Sequence, residues 1–96
     1  MKKRYTFYTD PGHGWLSVPV KELQELGIMD KISACSYLSP RHEVAYLEED
    51  CDMSVWFKAW IDKGMTREAI NARITDKYQA HTPIRNYEPF LQKILQ

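Results

Sequence analysis

The sequence predicts an α+β fold in one domain: a small antiparallel sheet in the order ββαββ, with two to three C-terminal helices packed on one face. Three observations support this fold class. Apolar and polar residues alternate along the first half of the chain, and Pro and Gly lie between the alternating segments, where turns are expected. After residue 52, apolar residues recur at helical spacing. The 96 residues are near the lower size limit for one hydrophobic core, and 3 Trp, 6 Tyr and 3 Phe compensate by burying large areas.

The first predicted element is a β-hairpin with a histidine at the tip of its loop. Strands over residues 4–9 and 14–18 flank the loop Asp10-Pro-Gly-His-Gly14, whose proline and glycines favour a tight turn. His13 is a candidate general base or ligand, or else a loop histidine that is exposed or hydrogen-bonded. A phosphate-binding loop would run into a helix, whereas this loop runs into a strand. We therefore interpret His13, with Trp15 beside it, as a candidate contact residue.

A short helix is predicted over residues 20–26, with Pro19 tolerated at its start. Gly27 can adopt the left-handed conformation that ends a helix, and Ile28 can then contact Leu23. The helix is therefore expected to stop at Gly27.

A second hairpin is predicted from the alternation over residues 32–38 and 43–48, with turn chemistry at residues 39–42 between them. Cys35 lies on the first of these strands among alternating apolar neighbours. We expect its side chain to be in the core.

The strongest helical pattern follows the acidic segment at residues 48–52. Asp50 or Asp52 is expected to cap this helix, and Gly64 to end it. Its apolar stripe has the spacing i, i+3, i+4, i+7 and i+8 and comprises Met53, Trp56, Phe57, Trp60 and Ile61. Such a stripe is typical of a core-facing helix, so we expect its rings to be buried and not to stack on nucleic-acid bases.

A further helix is predicted from Arg67 to Gln79, with Thr66 as its N-cap. Pro83 limits it, and Pro89 is expected to open a last short helix. The apolar residues of that end are expected to pack back on the domain or to meet a partner.

Charge is balanced overall, with 13 basic and 13 acidic residues, which argues against a protein whose main task is to grip a phosphate backbone. The balance is uneven, since residues 41–52 carry one arginine against five carboxylates. A structural role explains the presence of at least two of these carboxylates, because the dipole and the free amides at a helix N-terminus favour negative charge there. The functional alternatives are an acidic contact surface or a divalent metal site, although the spacing lacks the glycine and distal glutamate of an EF-hand loop. The candidate partner-binding residues are His13, Trp15, Glu48, Glu49, Asp50 and Asp52.

The two cysteines, Cys35 and Cys51, form no CxxC motif. Cys51 lies among four carboxylates, which raise the pKa of a thiol and make it a poor nucleophile. Histidines that could join it around a metal are spread over distant positions: His13, His42 and His81. We therefore expect no cofactor, no metal site and no enzymatic activity. The first residues lack the pattern of a signal peptide, and no apolar run reaches membrane-spanning length, so a cytoplasmic protein with reduced thiols is expected.

An alternative interpretation is a small DNA-binding regulator. The two C-terminal helices around Gly64 resemble a helix-turn-helix, and the second would carry the candidate nucleic-acid-binding residues Arg67, Asn71, Arg73 and Lys77. Glu68, Asp76 and the neutral overall charge work against this alternative.

Three segments resemble a group of short proteins carried by bacteriophages and other bacterial mobile elements: TDPGHGWL at residues 9–16, residues 26–33, and YLEEDCD at residues 46–52. The resemblance covers about the first 60 residues and carries no catalytic residues over to this chain. It implies a non-enzymatic protein-binding module whose partner is a bacterial protein or protein complex. The implied role is inhibition of a defence complex, such as a CRISPR or restriction system. The oligomeric state stays open.

Overall fold

The computed structural model describes residues 1–91 and has the predicted α+β class, with three helices and a six-stranded mixed sheet. The strands are β1 (Tyr5–Thr9), β2 (Gly14–Pro19), β3 (Tyr37–Leu38), β4 (Val44–Glu48), β5 (Ile74–Tyr78) and β6 (Glu88–Pro89). The helices are α1 (Val20–Glu25), α2 (Met53–Asp62) and α3 (Arg67–Asn71). Two short 3-10 helices, Met29–Lys31 and Pro83–Asn86, complete the described elements.

The sheet has the strand order β5-β1-β2-β4-β3-β6. The first hairpin is confirmed, because β1 and β2 pair antiparallel with Phe7 opposite Leu16. β2 continues into an antiparallel pair with β4, where Leu16 lies opposite Leu47. β1 pairs in parallel with β5, with Tyr5 opposite Ile74, so the strictly antiparallel ββαββ prediction is wrong.

The helix predicted from Arg67 to Gln79 is also wrong beyond its first turns. α3 ends at Asn71, and the chain then forms β5 along the free edge of β1. Residues 74–78 contain the β-branched Ile74 and Thr75, which suit a strand. An unpaired strand edge leaves its backbone N–H and C=O groups without hydrogen-bond partners. β5 provides partners for this edge of β1. The pairing starts just before β5, where the Tyr5 amide donates to the Arg73 carbonyl at 2.7 Å.

The second hairpin is shorter than predicted. Only Tyr37–Leu38 of the segment at residues 32–38 is a strand, and the residues before it form a turn and a loop. Cys35 lies in that loop and is exposed, so the prediction that it belongs to the core is wrong. The side chains of Ser33 and Ser36 explain the loop, because their hydroxyls donate to the Asp52 carboxylate.

The hydrophobic core lies between one face of the sheet and the three helices. Leu16, Val18 and Leu47 from the sheet belong to one buried cluster with Trp56 and Phe57 of α2, which confirms the predicted burial of these two rings. Leu23 of α1 and Ile70 of α3 belong to the same cluster.

One carboxylate is enclosed in this core. Glu22 on α1 accepts hydrogen bonds from the Tyr5 hydroxyl at 2.6 Å and from the Trp56 indole Nε1 at 2.7 Å. Trp60 Nε1 lies 3.4 Å from the same Oε2 oxygen as Trp56. Glu22 thus links α1, α2 and β1 through three neutral donors.

The helix ends follow the predicted signals. Gly27 has φ 70°, and Ile28 N–H donates to the Leu23 carbonyl at 3.1 Å, as expected of a helix that ends there. Thr66 caps α3 by accepting a hydrogen bond from the Ala69 amide at 3.1 Å.

The last helix predicted from Pro89 does not begin there, because Glu88–Pro89 forms β6 against β3. Phe90 is buried in the core, so this part of the chain packs back on the domain as predicted. The remainder of the predicted helix, residues 92–96, lies outside the described residues. Within residues 1–91, no helix has the length and apolar character required to cross a membrane.

Candidate functional site

The face of the sheet opposite the helices is aromatic. Residues paired across strands share a face, so Lys77, Tyr8, Trp15 and Glu48 form one row across β5, β1, β2 and β4. Tyr46 and Tyr37 are paired in the next row. Ring centroids are 6.1 Å apart for Tyr8 and Tyr46 and 6.3 Å apart for Trp15 and Tyr37, and Tyr87 lies 5.5 Å from Tyr46. We call this surface the open face, defined by Tyr8, Trp15, Tyr37, Tyr46 and Tyr87.

A cavity of about 370 Å³ lies at one end of the open face, and we call it the open-face cavity. It brings together four of the predicted contact residues with Tyr37 and Arg85: His13, Trp15, Glu48 and Asp50. Trp15 is 2% exposed, and the Arg85 guanidinium lies 5.5 Å from the centroid of its ring. His13 lies 5.9 Å from Trp15 between ring centroids and is half-exposed. The cavity thus combines aromatic, cationic and carboxylate groups.

The His13 loop is built around an ion pair that local sequence patterns did not reveal. Asp10 Oδ1 accepts hydrogen bonds from the amides of Gly12 and His13, each at 2.9 Å. Arg85 donates to the same carboxylate through Nε and through Nη2, the latter at 2.9 Å. These bonds, led by those of Arg85, hold the pKa of Asp10 well below its usual range. A β-carbon at Gly12 would lie 3.0 Å from Arg85 Nη2, so a larger residue there would require the arginine side chain to shift.

This ion pair predicts an acid-sensitive loop. The pKa of Asp10 is lower in the folded chain than its ordinary value of 3.8. The contribution of ionised Asp10 to the free energy of unfolding is therefore complete above about pH 4. It is lost as the pH falls towards the lower pKa that Asp10 has in the folded protein. We expect the Asp10→Asn variant to lose less stability than the wild type between about pH 4 and pH 2, measured as the urea midpoint at each pH. Parallel acid profiles of the two proteins would contradict this prediction.

The acidic segment divides into two buried and two exposed carboxylates. Glu48 and Asp52 are 7% and 3% exposed, whereas Glu49 and Asp50 face solvent. Glu48 lies 3.5 Å from His13 Nδ1 through Oε1, and its Oε2 accepts a hydrogen bond from the Asp50 amide at 2.9 Å. Glu48 and the exposed Asp50 therefore line the open-face cavity, whereas Glu49 lines a separate cavity beside Met53 and Phe57 of α2.

Asp52 has a different structural role from the predicted helix cap. It precedes α2, but its side chain makes no capping hydrogen bond. Its carboxylate accepts from Ser33 N at 3.1 Å, from Ser33 Oγ at 2.8 Å and from Ser36 Oγ at 2.5 Å. Ser36 Oγ in turn accepts from the Glu48 amide at 3.0 Å. We call Asp52, Ser33 and Ser36 the aspartate clamp, because they tie the loop before β3 to the start of α2.

The four candidate nucleic-acid-binding residues do not share one helix. Arg67 and Asn71 lie on α3, where the Arg67 guanidinium is 5.4 Å from the Phe57 ring centroid. Arg73 follows the helix and donates through Nη1 to the Lys2 carbonyl at 3.0 Å. Lys77 lies on β5, on the open face, with Nζ 6.0 Å from the Tyr8 ring centroid. The recognition helix predicted over Arg67 to Gln79 is therefore absent from the part of the chain described here.

Cys35, which was predicted in the core, lines the open-face cavity together with Cys51. The pKa of Cys51 is raised to about 12, chiefly by its hydrogen bond with the Cys35 thiol, then by desolvation and by Glu48. The carboxylate effect was expected from the sequence, but the larger effect of Cys35 was not. Across residues 1–91, no cluster of three or more His, Cys, Asp or Glu side chains has an arrangement that could hold a metal ion.

Comparison of the chain with protein-family models, curated proteins and solved structures finds no match.

Proposed function

We propose that this protein is a non-enzymatic protein-binding module that contacts a bacterial protein through its open face. The observation that carries the proposal is the aromatic network of that face, which lies opposite the three helices. Its four tyrosines are partly exposed, whereas Trp15 is buried beneath Arg85. Tyr, Trp and Arg are the residues that contribute most to binding energy in protein interfaces. The open face, with Arg85 beside Trp15, has this composition.

An unsatisfied donor supports the same surface. Trp15 Nε1 is the buried side-chain polar atom that lacks a hydrogen-bond partner within residues 1–91. A buried donor without an acceptor costs on the order of 1–3 kcal/mol. Trp15 lines the open-face cavity, so a partner whose carbonyl or carboxylate oxygen displaces the groups that cover this N–H would remove that cost.

The charge of the rim indicates the kind of partner. Asp50 is exposed and lines the cavity, and the exposed Glu49 precedes it in the chain, so we call these two carboxylates the acidic rim. A basic protein surface would complement them. A site that normally receives nucleic acid is basic, and a module that covers it would compete with the nucleic acid. The resemblance to phage and mobile-element proteins supports a bacterial defence complex as the target.

A charge-reversal experiment tests this proposal. The double variant Glu49→Lys/Asp50→Lys changes two exposed carboxylates without touching Glu48 or Asp52. The matched control Glu25→Lys/Glu43→Lys makes the same change in charge at other exposed positions. Each protein is immobilised, incubated with nuclease-treated bacterial lysate, and the captured proteins are quantified by mass spectrometry. We expect a basic protein that the wild type and the control retain, and about tenfold less of it on the rim variant.

A second variant tests the aromatic part of the open face. Tyr87 is half-buried and contacts Tyr46, so Tyr87→Ser removes a ring from the open face outside the sheet strands. We expect weaker capture of the same basic protein, provided that the urea midpoint shows the variant to be folded.

Two results would contradict the proposal. Equal capture by the wild type and the rim variant would show that the acidic rim does not contribute to partner binding. Binding to random duplex DNA that depends steeply on salt concentration would favour the nucleic-acid alternative.

A further inference from the structure

The two cysteines lie together at the open-face cavity although they are distant in the sequence. Cys35 belongs to the loop before β3, and Cys51 belongs to the turn that enters α2. Both thiols are free and exposed, and both line the same cavity. The proximity of two accessible thiols requires a structural cause, since the cysteines lie on separate elements.

The aspartate clamp supplies that cause. Ser33 and Ser36, which flank Cys35, are both bound to Asp52, the residue next to Cys51. The backbone is held on both sides as well, because the Cys35 amide donates to Ser33 Oγ at 3.1 Å and the Cys51 amide donates to the Glu48 carbonyl at 3.2 Å. The clamp therefore holds the segments that carry the two thiols against each other.

We propose that Cys35 and Cys51 are a reversible disulfide site, formed when the protein exchanges with a small-molecule disulfide such as oxidised glutathione. The site goes beyond the proposed function, and its test needs no binding partner. Disulfide formation would join the loop before β3 covalently to the turn that carries Asp50.

The exchange proceeds in two balanced steps. The Cys35 thiolate attacks the small-molecule disulfide, which forms a mixed disulfide and releases one small thiolate. Cys51 then loses its proton to solvent as its sulfur attacks the Cys35 sulfur, which forms the internal bond and releases the second small thiolate. Overall, two protein thiols lose two electrons and two protons, and the small disulfide is reduced to two thiols.

The environment of the thiols favours this order of attack. Cys51 has a raised pKa, chiefly because its thiol is hydrogen-bonded to Cys35, so it supplies little thiolate at neutral pH. Conversion of Cys35 to the mixed disulfide replaces its ionisable thiol. The largest cause of the raised pKa of Cys51 is then removed, and Cys51 can act as the resolving thiol.

A redox titration of the full chain tests the proposal. The protein is equilibrated with mixtures of reduced and oxidised glutathione, quenched with acid, alkylated and measured by intact mass. The fraction of protein with the internal disulfide at each glutathione ratio gives the effective concentration of one thiol at the other. This value is determined for the folded protein and for the same chain unfolded in urea. We expect the folded value to exceed the unfolded value by at least about tenfold, because the fold holds together two segments that the unfolded chain brings together only by loop closure.

The single variants Cys35→Ser and Cys51→Ser identify the products. Each is expected to form the mixed disulfide with glutathione and no internal bond, whereas the wild type loses two hydrogen atoms and gains no adduct. An effective concentration in the folded wild type that does not exceed the value in urea would overturn the proposal. A wild type that carries glutathione on its thiols in place of the internal bond would overturn it as well.

Discussion

Replacement of Glu22 with alanine is expected to lower the free energy of unfolding by about 3 kcal/mol. The carboxylate accepts from the Tyr5 hydroxyl and from the indoles of Trp56 and Trp60. Glu22 is 9% exposed and lines a cavity of about 570 Å³, but Trp56 is fully buried, so its indole N–H would lose its acceptor inside the protein. Three donors would lose their acceptor at once. The free-energy cost of leaving them unpaired exceeds the desolvation cost that is avoided when the buried carboxylate is removed. Urea unfolding followed by circular dichroism measures the change.

Two variants separate the lost acceptor from other effects of the substitution. Glu25→Ala lies on the same helix at an exposed position and should change stability by less than about 0.5 kcal/mol. Glu22→Gln retains one acceptor oxygen and should cost about 1–2 kcal/mol, less than alanine. If Glu22→Ala unfolds at the same urea concentration as Glu25→Ala, the network does not stabilise the fold.

A double-mutant cycle with Tyr5→Phe tests the strongest link of this network. The Tyr5 hydroxyl is buried beside Glu22, and burial, with the Glu22 hydrogen bond adding to it, raises the pKa of Tyr5 well above its ordinary value of 10.0. The coupling free energy between Tyr5→Phe and Glu22→Ala should be about 1 kcal/mol, because each substitution removes the hydrogen bond between Tyr5 and Glu22.

The second large effect is expected at Asp52. Asp52→Ala should lower the free energy of unfolding by about 2–3 kcal/mol, since it removes the acceptor for the Ser33 amide and for the hydroxyls of Ser33 and Ser36. Ser36 is fully buried, so its hydroxyl would be left without that acceptor inside the protein. Urea unfolding again provides the measurement.

The acidic segment contains its own control. Asp50 is exposed, so Asp50→Ala should be within about 0.5 kcal/mol of the wild type. Asp52→Asn keeps one acceptor oxygen, so its free energy of unfolding should lie between those of Asp50→Ala and Asp52→Ala. Equal stability of the Asp50 and Asp52 alanine variants would show that the aspartate clamp contributes nothing to folding.

The elements that could be predicted from the sequence are those with local causes. The first hairpin follows from alternation around the Pro/Gly loop, and Gly27 ends α1 through its left-handed backbone. The buried rings of Trp56 and Phe57 follow from helical spacing. In each case, the residues that specify the structure are within a few positions of one another.

The errors occurred where a distant segment competed with local preference. Residues 74–78 fit a helical stripe, but they also fit a strand, and the free edge of β1 selected the strand. Residues 32–36 alternate like a strand, but Asp52 binds the side chains of Ser33 and Ser36. Sequence pattern alone contains no information about either partner.

The candidate site divides in the same way. The sequence indicated six contact residues. The fold places His13, Trp15, Glu48 and Asp50 at one cavity, but not Glu49 or Asp52. Arg85 was not identified, because its role depends on Asp10 and Trp15, which are far from it in the chain. Its cationic side chain after Pro83 was the available signal, and that signal is too common in surface loops to identify a site.

The sequence by itself determined the α+β class, the first hairpin, the end of α1 at Gly27, the cap of α3 at Thr66 and the aromatic helix face. These features follow from backbone preference and hydrophobic periodicity, which act over short distances. Only the tertiary structure decided the parallel pairing of β1 with β5, the enclosure of Glu22 and Asp52, and the meeting of Cys35 with Cys51 at the open-face cavity. Those features depend on which distant groups satisfy buried hydrogen-bonding atoms, and folding alone brings the groups together.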